Sequence, residues 1–198
     1  MAVRQVLRMG HPVLARRAEP VPEVELGSPG LLDLVEDLWD TMRAYEGAGL
    51  AAPQIGVGLR VVVFAVEANP RYPEAEPVPA TALVNPSWEP LGPEMEEAWE
   101  GCLSLPGLRG LVPRYRRIRY RGLDPRGREL VREVEGFHAR VVQHELDHLD
   151  GILYPQRMRD LAAFGFEEEL QRRWEEEARA EAEAEAGEPR AREAAPSR

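Results

Sequence analysis

Leu31, Leu34, Val35, Leu38, Met42 and Tyr45 recur three and four positions apart. That spacing places them on one face of an α-helix. Ser28-Pro29 reads as an N-cap followed by proline at the first helical position, and Gly47 and Gly49 close the run. EGAGLAAPQIG (46–56) is a small-residue loop, and LRVVVFAV (59–66) is a continuous apolar run expected to form a buried strand. Residues 67–80 carry Pro70, Pro73, Pro77 and Pro79 and read as an exposed loop. TALVNPSW (81–88) suggests a strand broken or bent at Pro86. In YRRIRYRGL (115–123), Arg117, Arg119 and Arg121 alternate with Ile118 and Tyr120, the pattern of a half-buried strand with an arginine-lined solvent face. DPRG (124–127) is turn chemistry, and RELVREVE (128–135) returns as a second strand. GFHARVVQHELDHLDG (136–151) is helical, with Gly151 placed to end it in the left-handed conformation. A last helix is expected from near Arg157, with Phe166, Leu170 and Trp174 at helical spacing. Strands clustered between separate helices favour an α+β fold over a doubly wound sheet.

Composition narrows the chemistry. At 198 residues the chain suits one well-packed domain. One cysteine excludes an intramolecular disulfide and every single-chain zinc site that needs two or more thiolates. The basic residues are all Arg, and the absence of Lys removes Schiff-base catalysis and the phosphate-loop lysine. A net charge of −10 argues against sequence-specific nucleic-acid binding. Residues 167–198 hold 11 Glu and 6 Arg, half of that net charge, and read as a solvated helix and tail. No apolar run approaches the ~20 residues of a membrane helix, and the first residues lack a signal peptide's apolar core, so the expected compartment is the cytoplasm.

The chemistry concentrates in QHELDHLDG (143–151). His144 and His148 are four apart and share a helix face with Phe137 and Val141, so both imidazoles can reach one ion with Glu145 beside it. A catalytic metal usually takes three protein ligands and leaves a position open. The pattern H-E-x-x-H-x-x-G-x-x-H runs through Gly151 but meets Tyr154 at its last place. Glu167, Glu168 or Glu169 on the following helix could serve instead, as in an H-E-x-x-H endopeptidase, and so could the lone Cys102 in EGCLSLPG (100–107).

GAGLAAPQ (47–54), EGCLS (100–104) and QHELDH (143–148) occur together and in that order. Here the sequence resembles the peptide deformylases, whose motifs read G-x-G-L-A-A-x-Q, E-G-C-x-S and H-E-x-D-H. The likeness also takes in VLRMGHPVL (6–14), NP (85–86), LVPR (111–114) and GILY (151–154), so that it spans about 3–160. The resemblance implies a single α+β domain over 1–160, with mixed or antiparallel sheets around the central helix that carries H-E-x-x-H. A C-terminal helix over 161–186, packed at its start, and an unstructured tail over 187–198 would follow.

The resemblance further implies hydrolysis of the formyl group from N-formylmethionyl polypeptides. One divalent metal would be held by Cys102, His144 and His148: iron(II) in the cell, with zinc, nickel or cobalt as substitutes. Glu145 becomes the proton-transfer group, and the Gln54 amide and Leu103 backbone N–H become oxyanion donors. Gly49 and Gly101 line the peptide's main chain, with Gly47 and Gly49 supplying positive φ or close approach. Phe137 and Val141 are candidates for the methionine pocket and equally for plain core. Arg114 and Asp147 are expected to pair behind the site. Transient ribosome contact is also implied, although the basic C-terminal helix used for it in some relatives is Glu-rich here.

Overall fold

The structure, a computed structural model, describes residues 2–67 and 76–187. Helix α1 (Pro29–Ala44) begins as the spacing predicts, with the Ser28 hydroxyl accepting from the Leu31 N–H at 3.2 Å. Its buried stripe is Leu31, Val35, Leu38 and Met42. Tyr45 falls just past the helix and is exposed, so it does not extend the stripe. The 46–56 stretch is not all loop. Gly49–Ala51 forms β1, and a 3-10 turn over Ala52–Ile55 follows.

Strand β2 (Val61–Val66) explains its own lack of alternation. Val61 and Val63 pack against α1, while Val62 and Phe64 face the opposite core, so both faces are covered. Strand β3 (Val78–Pro90) begins earlier than the sequence suggests, which corrects the loop expected through 80; residues 68–75 lie outside the described residues. The bend expected at Pro86 is present as a register shift between Val84 and Ser87. Asn85 takes the positive φ of 52° there, and its amide clamps Val21 through Val21 N–H to Oδ1 at 2.8 Å and Nδ2–H to the Val21 carbonyl at 2.9 Å.

A hairpin that periodicity missed follows: β4 (Met95–Cys102) and β5 (Leu105–Tyr115). Strands β6 (Arg117–Leu123) and β7 (Glu129–Glu135) then pair around the Asp124 turn, where Oδ1 accepts from the Arg126 and Arg128 N–H groups. The arginine row meets carboxylates on the solvent face, with Arg119 between Glu89 and Glu133. Helix α2 (Gly136–Leu149) ends with Gly151 at φ 73°. The last helix, α3, runs Glu167–Gly187. The helix expected from Arg157 is corrected to two 3-10 turns and a short strand β8 (Phe164–Phe166), because Pro155 and the Asp160 side chain, which accepts from the Ala162 N–H, set turn geometry there.

All paired strands are antiparallel. One sheet has the order β1-β2-β3-β6-β7 and the other β4-β5-β8. Helix α2 lies between them, with Val142, Leu146 and Leu149 fully or almost fully buried against Phe64, Leu83, Ile118 and Tyr120. Among the described residues no helix is long and apolar enough to cross a membrane.

Candidate active site

Helix α2 presents His144 and His148 with ring centroids 5.1 Å apart. Strand β4 reaches them from the other sheet. A register shift between Gly101 and Cys102 turns the thiol inward, and Cys102 Sγ stands 3.3 Å from His148 Nε2. The donor atoms of Cys102, His144 and His148 all lie within 4.8 Å of one another. His144 Nδ1 is 2.8 Å from Glu100 Oε2, and a proton shared there leaves Nε2 as the free donor. Three convergent soft or borderline donors, one with its tautomer already set, suit a transition-metal ion.

The other chains considered for the third position go elsewhere. Tyr154 stacks its ring on His144 at 6.1 Å. Glu167, Glu168 and Glu169 are exposed at the start of α3, and Glu167 pairs with Arg109 at 2.8 Å.

Glu100 is the residue that sequence reasoning did not assign. It accepts from Arg114 through Nε at 2.9 Å and Nη2 at 3.0 Å, and from Arg140 Nη1 at 2.9 Å. Arg114 also pairs with Asp147, as expected, and Asp147 takes Arg157 Nη2 at 2.7 Å. Burial pushes the Glu100 carboxyl up, but the Arg114 guanidinium and His144 outweigh it and hold it far below the usual carboxylate range. The legible signal was its place as the first residue of the E-G-C-x-S motif, two positions before Cys102.

Burial likewise raises the Cys102 thiol, yet His148 and His144 beside it bring it well below its ordinary value, toward the thiolate a metal needs. For His144, burial works downward but Cys102 and Glu100 raise it well above the usual imidazole range. Glu145 goes the other way. Burial pushes it up to about 7 against the pull of His144 and His148. Among the described residues nothing hydrogen-bonds its buried Oε2.

Gln54 closes the site from the 3-10 turn. Its Oε1 accepts from the Ala51 N–H at 2.8 Å, which fixes the amide so that Nε2–H points to Ser104 Oγ at 3.2 Å and Cys102 Sγ at 3.6 Å. Ser104 is therefore a hydrogen-bonding partner of the metal loop. Leu103 sits at the β4–β5 hairpin turn beside Gln54, and both line one cavity. Gly49, Gly101, Phe137 and Val141 line it too. Val141 also belongs to the core under the five-stranded sheet and Phe137 packs on it, so both side chains join the core to the cavity wall.

Gly47 and Gly49 do not take positive φ; Glu46, at 53°, makes that turn instead. Gly49 is needed for space, because a Cβ there would overlap the Glu145 carboxyl. Trp99 and Arg140, which the sequence reading passed over, complete the walls.

A family model described as polypeptide deformylase matches residues 3–163. Peptide deformylase 1 of Nitrosomonas europaea is 58% identical over 168 residues, 85% of this chain and 94% of that protein. Peptide deformylase 1 of Bordetella pertussis gives the same identity and coverage. Among solved structures, a class I type b peptide deformylase from Acinetobacter baumannii with Met-Ala-Ser bound superposes with a TM-score of 0.77 at 39% identity, covering 79% of this chain and 99% of that one. The peptide deformylase of Thermotoga maritima superposes at 0.70 with 37% identity, covering 81% of this chain and all of that one.

Proposed function

Because the chain belongs to the polypeptide deformylase family, and is thus a hydrolase, we propose that it removes the formyl group from N-formylmethionyl polypeptides by means of a divalent metal held by Cys102, His144 and His148. The observation that carries this reading is the meeting of one thiolate and two imidazoles with an unpartnered buried carboxylate beside them. When bound, such an ion would supply Lewis acidity, lowering the pKa of water toward neutrality. Iron(II) is the metal in the cell on this reading; zinc, nickel or cobalt fits the same donors.

The chain's own groups do the rest. Glu145 takes the attacking water's proton and hands it to the departing amine, a role its folded pKa near neutrality suits. The Gln54 amide and the Leu103 backbone N–H donate to the oxyanion. Gln54 is preorganised for this by its bond to Ala51. Strands β1 and β4 are edge strands of separate sheets, so Gly49 and Gly101 offer unpaired backbone to a peptide lying between them. The methionine side chain enters past Phe137 and Val141.

Residues 1–160 act as the catalytic domain and work in the cytoplasm. The solved relative with Met-Ala-Ser bound supports a cleft that takes the first residues of a peptide. Contact with the ribosome is transient, and the Glu-rich α3 does not suit docking on a phosphate backbone.

The test is an anaerobic assay on formyl-Met-Ala-Ser with iron, nickel or zinc added. Formate and a free amine should appear in equal amounts. Cleavage of an internal peptide bond, or no formate with any metal, contradicts the proposal.

A further inference from the structure

One wall of the cleft reaches into the C-terminal helix. Trp99 stands on β4 three residues before Cys102 and lines the cavity. Its ring meets Trp174 of α3 edge to face, with centroids 4.9 Å apart and planes at 68°. The start of α3 is anchored. Leu170 is buried, with its side chain against Gly165, and Arg109 Nη2 reaches Glu167 at 2.8 Å. Just before the helix, β8 pairs with β5 through Leu108, Arg109 and Gly110. Trp174 follows Leu170 by four positions, so it sits on the same helix face one turn on. It is half-buried, and residues 175–180 after it are exposed. The helix thus docks through Glu167, Leu170 and Trp174, and the last of them touches a residue of the cleft wall. Trp174 also lies beyond the residues 3–163 that match the family model.

We propose that Trp174 is a positioning residue for the peptide cleft: by bracing Trp99 from outside, α3 holds the aromatic rim against which the bound peptide packs. This rests on the reading of the cleft as a peptide site. Trp99 lies on an edge strand, and Trp174 is the aromatic ring that meets it there. Without the brace the indole samples other rotamers, and the peptide must order it on binding. The reacting atoms lie at Cys102, Glu145 and Gln54, which Trp174 does not touch, so binding changes and the chemical step does not.

The experiment uses full-length, metal-loaded protein and its Trp174→Ala, Trp174→Phe and Trp99→Leu variants. Formate release from formyl-Met-Ala-Ser gives KM and kcat. Binding of the product Met-Ala-Ser, followed by tryptophan fluorescence, gives Kd without turnover. Trp174→Ala should raise KM and Kd by about 3- to 10-fold with kcat within about twofold, the range expected for losing one aromatic pair. Trp174→Phe should restore most of the affinity. Trp99→Leu should raise KM similarly, and adding Trp174→Ala to it should cost little more, because the two act through one contact. Additive losses, an unchanged KM in Trp174→Ala, or a fall confined to kcat overturns the proposal. A wild-type protein that releases no formate refutes the deformylase reading instead, so the two failures are distinguishable.

Discussion

Glu145 is a carboxylate folded into a place where its charge has little support. Its burial raises it from 4.5 to about 7, whereas the unfolded chain leaves it near the lower value. Folding therefore favours the protonated form. That contribution is complete below pH 4.5 and is lost as pH rises through about 7. In metal-free protein, Glu145→Gln should match the wild type in Tm near pH 4.5 and exceed it above pH 7; a gap that does not grow with pH contradicts this. With metal bound, the same variant should keep the ion and lose about 10²- to 10⁴-fold in kcat, read by metal analysis beside the formate assay. Cys102→Ala should abolish tight metal binding, whereas Glu168→Ala, on the exposed start of α3, should bind metal as the wild type does. Glu100→Ala removes the acceptor that orients His144, and metal affinity in a competition titration should fall by about 10- to 100-fold.

At the scale of elements, the site depends on β1 passing close over α2. Gly49→Ala places a methyl group into the Glu145 carboxyl, so β1 or the Glu145 side chain must shift away. KM should rise and kcat should fall together; a kinetically silent Gly49→Ala would show that β1 does not need this approach.

The elements that set this geometry were unequally legible. Helix α1, strand β2 and the β6–β7 hairpin follow from periodicity and turn chemistry, because each has one environment per face. The β4–β5 hairpin was not visible. MEEAWEGC has no clean alternation on a half-exposed edge strand, and Pro106, Gly107, Gly110 and Pro113 interrupt β5. The two histidines and Glu145 were readable from their spacing. Cys102 was not, because a ligand from another sheet obeys no local period; only the family's motif order singled it out. Glu100, though it opens the E-G-C-x-S motif, received no role, and Arg140 escaped notice, for a related reason. Buried charges paired across elements read in sequence as ordinary charged residues. Arg140 stands four positions before His144 and spends its guanidinium on Glu100, the Val112 carbonyl at 2.8 Å and the Glu96 carbonyl at 2.7 Å.

At the scale of the molecule, two antiparallel sheets are joined through α2, and the Glu100, Arg114, Arg140 and Asp147 network is the polar part of that joint. Glu100 is held below its unfolded value of 4.5, so its contribution to stability is full above pH 4.5 and is lost as pH falls below it. His138, on the opposite side of α2, is lowered by burial and by Arg132 to about 4 from 6.5, so the folded state also resists its protonation between those values. Stability should therefore begin to fall below about pH 6.5 through His138 and fall further below about pH 4.5 through Glu100, and Glu100→Gln should flatten the lower limb of the stability curve. An unchanged acid limb would show that the network does not join the sheets energetically.

The central claim is that a sulfur on one sheet and two imidazoles on the helix between the sheets hold a single ion. X-ray absorption on anaerobically iron-loaded protein tests it most directly. One sulfur neighbour at about 2.3 Å should accompany nitrogen and oxygen ligands in the wild type and disappear in Cys102→Ser. A coordination sphere of nitrogen and oxygen alone in the wild type would contradict it.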